Sequence, residues 1–82
     1  MTAYGVAAFD SSHCAMVAAR ELRELGAVMM PVPRCISASC GVALRLEPQA
    51  LPDARERLES LFPQREGWRL YLIQGQQAQP LE

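Results

Sequence analysis

The order of its apolar runs constrains this chain most. Within 82 residues, four stretches of strand character and two of helical periodicity follow one another as strand, helix, strand, strand, helix, strand. Tyr4-Gly5-Val6-Ala7-Ala8-Phe9 is an unbroken apolar run of strand length. Asp10-Ser11-Ser12 ends it with short polar side chains suited to cap the unpaired amides of a starting helix. The spacing predicts that helix from about His13 to Leu25. Ala15, Ala18, Ala19, Leu22 and Leu25 form a narrow apolar face, Arg20, Glu21, Arg23 and Glu24 point away, and Gly26 suits the position past the end.

A second strand is expected over roughly Ala27 to Val32, and a third from Gly41 to Leu46, where Val42, Leu44 and Leu46 alternate with Ala43 and Arg45. Glu47-Pro48 opens a second helix whose regular part begins near Pro52 and which turns Leu51, Ala54, Leu58, Leu61 and Phe62 inward. Trp68 to Ile73 is the fourth strand, with apolar residues in both of its alternating sets. The glutamine-rich end has few apolar residues to pack. The organisation read from this is one domain over residues 1–74 and a flexible tail over 75–82. The element order is that of an α+β, ferredoxin-like split βαβ domain (βαββαβ), with a four-stranded antiparallel sheet and two helices on one face.

Composition narrows the function classes. Eight basic residues against nine acidic ones leave a net charge of −1, with no field to hold a phosphate backbone, so no nucleic acid is expected as partner. Met1 to Phe9 is too short to cross a bilayer and lacks the basic start of a secretory signal. No membrane association and a cytoplasmic location are the expectation. A core this small gains from self-association, which leaves a homodimer open.

The three cysteines form no disulfide framework, and in a reducing compartment they are free thiols. Chemistry concentrates at Cys40. Two prolines, Pro31 and Pro33, set the approach, small residues surround the sulfur, and Gly41 tolerates close approach. In a split βαβ sheet the second-to-third strand loop meets the end of strand one and the start of helix one. Cys40 and Gly41 are therefore expected near Phe9, Asp10, Ser11 and Ser12. A helix N-terminus and a nearby arginine, Arg34, lower a cysteine pKa from about 8.5 toward neutrality.

The segment Pro31-Val32-Pro33-Arg34, followed by Ser37-Ala38-Ser39-Cys40-Gly41-Val42-Ala43-Leu44, resembles the signature of a family of small domains described as selenium or sulfur carrier protein-like. The resemblance runs through the chain as far as the tail. It singles out Cys40 and Gly41, flanked by Pro33, Arg34 and Ser37, and does not include Cys35 or Cys14. It implies a thiol that takes sulfur or selenium as a persulfide or perselenide and passes it on. Its partners would be sulfur or selenium donor and acceptor proteins of selenium metabolism or sulfur transfer.

On that reading Cys40 bears the transferred atom, Gly41 makes room and Arg34 stabilises the anion. Cys35 is an auxiliary candidate that could resolve a persulfide, or a tolerated loop cysteine. Ser12, Ser37 and Ser39 could donate to a bound anion, or serve as caps and turn residues. His13 could move a proton near Cys40, or sit exposed at the helix start. Neither His-Cys nor Cys-x4-Cys is a zinc spacing, so no metal is assigned, and no cofactor either. The competing reading is a non-catalytic ferredoxin-like module for binding or oligomerisation, in which Cys40 packs as a small apolar residue.

Overall fold

The computed structural model describes residues 3–33, 42–63 and 67–81. Its elements are β1 (Ala3–Phe9), α1 (Ser12–Glu21), β2 (Val28–Pro31), β3 (Val42–Leu46), α2 (Leu51–Leu61), β4 (Trp68–Gln74) and β5 (Gln77–Leu81). The protein is α+β with two helices and an antiparallel sheet, as expected. The sheet has five strands rather than four, in the order β2-β3-β1-β4-β5.

The extra strand comes from the stretch expected to be a flexible tail. Gly75, at φ 62°, reverses the chain after β4, and residues 77–81 pair antiparallel with 70–74. So few apolar side chains predict no packing, yet a hairpin is closed by backbone hydrogen bonds that most side chains permit. Two apolar residues suffice to seat it, Leu81 against the main core and Ala78 against the cluster on the other face.

Both helices lie against one side of the sheet. Row by row, Met29, Leu44, Ala7, Leu70 and Leu81 stand opposite one another across all five strands. Ala15, Ala18 and Leu22 of α1 and the turn after it, with Leu51, Ala54 and Leu58 of α2, complete that core. The alanine face allows α1 to approach the sheet closely. A 3₁₀ turn at Arg23–Leu25 tightens the expected helix end, and Gly26 at φ 86° donates its N–H to the Arg23 carbonyl. Pro48 opens a 3₁₀ turn, Pro48–Ala50, and Pro52 lies in the first turn of α2, where its missing N–H costs nothing.

The helices are also tied at their outer ends. Arg57 on α2 pairs with Glu24 and donates to the Glu21 carbonyl at 3.1 Å. Both carboxylate and guanidinium are well exposed, so the pair contributes little beyond setting the helix angle.

Gly5 is a tight point of the packing. A Cβ placed there would stand 2.5 Å from Leu51 Cδ2 and 2.8 Å from its Cγ. Gly5→Ala is expected to destabilise the protein by about 1–3 kcal/mol through overpacking, read from the urea unfolding midpoint. Adding Leu51→Ala to it should cost less than the two single changes summed, because the second removes the clash created by the first. Ending the chain after Gln76 is expected to lower stability by roughly 1–2 kcal/mol, the share of apolar burial that half-buried Leu81 and Ala78 supply. An unchanged midpoint would mean that β5 does not pack.

Candidate functional site

The strand register brings several chain ends together. Pro31 stands opposite Val42, Ala43 opposite Ala8, and Phe9 opposite Trp68. The ends of β1 and β2 and the starts of β3 and β4 therefore share one end of the sheet, and α1 begins there two residues after β1 ends. Asp10 donates its N–H to the Gly67 carbonyl at 2.9 Å, which fixes the turn out of β1.

Ser11 caps α1. Its backbone is extended (φ −135°, ψ 149°), its Oγ accepts from the Cys14 N–H at 3.1 Å, and its carbonyl accepts from the Ala15 N–H at 3.1 Å. Short polar side chains favour this position because they accept from an amide that the helix leaves unpaired. The first turn of α1 holds no acidic residue, and the carboxylate nearest to it in sequence is that of exposed Asp10, just before the cap.

Ser12 and His13, both predicted auxiliaries, are the exposed first two residues of α1 at this sheet end. Cys14 is half-buried and packs against the main core, on the sheet side of the helix. Arg34, Cys35, Ser37, Ser39, Cys40 and Gly41 lie outside the described residues. Their flanks do not: Val32 packs on the helix-free side of the sheet and Val42 on the helix side. Cys40 stands two positions before Val42 in the sequence. Among the described residues, no three His, Cys, Asp or Glu side chains come together to hold a metal ion.

One feature of this end is invisible in the sequence. Trp68 reads there only as core bulk, yet its indole Nε1 is shielded from solvent and has no acceptor among the described residues. A buried donor without a partner is costly, and only the pairing of Trp68 with Phe9 at the sheet end puts it in that position.

The comparison with known families decides the kinship. The family model described as putative Se/S carrier protein-like matches residues 4–61. The chain belongs to this family. The match runs from β1 to the end of α2 and spans the Cys40 segment. It is shorter than the resemblance read from the sequence, which reached through the fourth strand: β4 and β5 fall beyond it. No curated protein and no solved structure matches the chain. The name of the Se/S carrier-like family suggests sulfur or selenium carriage and, with it, donor and acceptor proteins. No helix among the described residues is long and apolar enough to cross a membrane.

Removing the cap tests how the sheet end is held. Ser11→Ala is expected to cost about 0.5–2 kcal/mol in urea unfolding. Ser11→Asp should restore most of the loss, since a carboxylate caps as well and complements the helix dipole.

Proposed function

We propose that this protein is a thiol-based sulfur or selenium carrier that holds the transferred atom on Cys40 as a persulfide or perselenide. The observation that carries the reading is the family match over residues 4–61, which includes the whole Arg34–Gly41 stretch. The arrangement of the described residues agrees with it. Pro31, which ends β2 before that stretch, and Val42, which follows it, stand opposite each other at the sheet end where α1 presents a first turn free of carboxylates.

The transfer balances without an oxidant. The Cys40 thiolate attacks the terminal sulfur of a donor persulfide R–S–SH, forms Cys40–S–SH and releases R–S⁻. Selenium enters on the same terms from R–S–SeH. The acceptor thiolate then attacks the outer atom, and Cys40 leaves as the thiolate. Both steps require an ionised Cys40, and a thiolate is favoured by the helix N-terminus and by a cation such as Arg34. Gly41 leaves space for the added atom, Ser12, Ser37 and Ser39 supply hydrogen bonds to the anion, and His13 takes or returns a proton. Cys35 is the nearest thiol in sequence to resolve a loaded Cys40. Such a carrier belongs in the reducing cytoplasm, where the persulfide is passed on by exchange.

The fold is read with it. We take the order β2-β3-β1-β4 as a ferredoxin-like split βαβ core to which the β5 hairpin arm is added.

Two measurements test the carrier. With a cysteine desulfurase and cysteine, the protein is expected to gain one sulfur atom by intact mass, and Cys14→Ser and Cys35→Ser should gain it as well. Cys40→Ser should not, and full loading of that variant ends the proposal. Alkylation of each cysteine against pH, read by peptide mass spectrometry, should give Cys40 a midpoint below the ordinary thiol value of about 8.5. A Cys40 that titrates as an ordinary thiol would remove the activation argued here.

A further inference from the structure

The side of the sheet away from the helices forms a second, smaller apolar cluster. Val6, Ala8, Ala43 and Ile73 are buried there by Tyr4, Met30, Val32, Tyr71 and Ala78, and no described helix residue takes part. The register lays one row across the face: Val28, Arg45, Val6, Tyr71 and Pro80. Val28 is 60% exposed, Arg45 lies 5.0 Å from the Tyr4 ring centroid, and Arg69 is exposed in the next row, opposite Ala8.

Within the described strands, charge on this face has one sign. None of the five strands contains an aspartate or glutamate, and their only ionised side chains are Arg45 and Arg69, both at helix-free positions. Among the described residues neither arginine has an acidic partner; the ion pairs lie on the helices and the turn after α1, Arg55 with Glu59 and Arg57 with Glu24. Solvated surfaces mix both signs, whereas tyrosine, methionine and arginine with few carboxylates is the composition of protein interface centres.

We propose that the helix-free sheet face docks the donor or acceptor protein, through an apolar segment of that partner flanked by carboxylates. That the partner is a donor or acceptor rests on the carrier reading; the docking chemistry rests on the face alone. Arg45 and Arg69 stand two strands and two residues apart, roughly 12 Å between Cα atoms, and two carboxylates four residues apart on an extended chain span about 13 Å. The apolar residues between them meet Tyr4 and Tyr71, the half-buried side chains packed over Val6. Val32, part of this face, precedes Pro33 directly, so a protein seated here lies beside the point where the Cys40 segment leaves the sheet. A nucleic acid is the poorer occupant, since the chain as a whole is slightly acidic.

The test is an NMR titration of the folded, full-length protein with the capped peptide Glu-Val-Leu-Val-Glu at low salt. Amide shifts are expected on β1, β3 and β4 around Val6, Arg45 and Tyr71. The Arg45→Gln/Arg69→Gln variant should weaken the peptide about tenfold, the loss of two exposed ion pairs, and the Arg45→Lys/Arg69→Lys variant should keep most of the affinity. The Gln-Val-Leu-Val-Gln peptide should bind no better to the parent than the acidic peptide does to the Gln variant. Absence of shifts, shifts confined to the helices, or equal binding of the two peptides overturns the proposal. Preferential binding of an oligothymidylate on this face replaces it with a nucleic-acid site, and concentration-dependent shifts at these strands without any peptide replace it with self-association. Cys40→Ser should lose sulfur loading and keep the peptide; the Gln variant should keep loading from a small-molecule persulfide and show the tenfold weaker peptide binding. The two proposals thus fail separately.

Discussion

Everything in this molecule depends on β1 being buried on both of its faces. It pairs with β3 on one edge and β4 on the other, and Gly5 to Phe9 are buried without a break. Such a strand accepts no polar side chain, because neither face offers water or a partner. It also demands small residues where other elements press close. Gly5 yields to Leu51, and Ala7 and Ala8 let the helices and the surrounding side chains approach from opposite sides.

From that strand the two sides of the sheet diverge. One is filled by helices whose alanines and leucines interlock with Leu44, Leu46 and Leu70. The other is packed with its own tyrosines, Met30 and Val32, and its described strands bear two arginines and no carboxylate. A small domain has little apolar surface to spare. A second apolar cluster outside the helical core therefore points to a use as a contact surface rather than to folding alone.

The sheet end where β1 and β2 stop joins these two sides. It collects the capped start of α1, the buried indole of Trp68 and both flanks of the Cys40 segment. Membership of the Se/S carrier-like family gives this end its chemical interest. A partner on the helix-free face would meet the segment where it leaves β2.

Much of this was legible in the residues. The period of Ala15, Ala18 and Leu22, the run from Tyr4 to Phe9, and Gly26 and Pro48 as punctuation are local signals, set by backbone sterics and by which side chains avoid water. They sufficed for two helices and four of the strands. The thiol segment was legible only as a pattern of residue types, Pro33-Arg34 and Ser39-Cys40-Gly41, whose kinship the family match supports over residues 4–61. β5 was missed because Gln77–Leu81 has almost no apolar periodicity, and its hairpin is held by main-chain hydrogen bonds to an edge that exists only once β4 is in place. Nor could alternation alone say which of the two apolar sets of β4 would meet the helices. Sequence by itself determined the two helices, four of the strands and the chemistry available, because these follow from neighbouring residues. Tertiary structure alone decided the fifth strand, the shielding of the Trp68 indole N–H and the placing of Arg45 and Arg69 on one face, because each depends on strands being laid side by side.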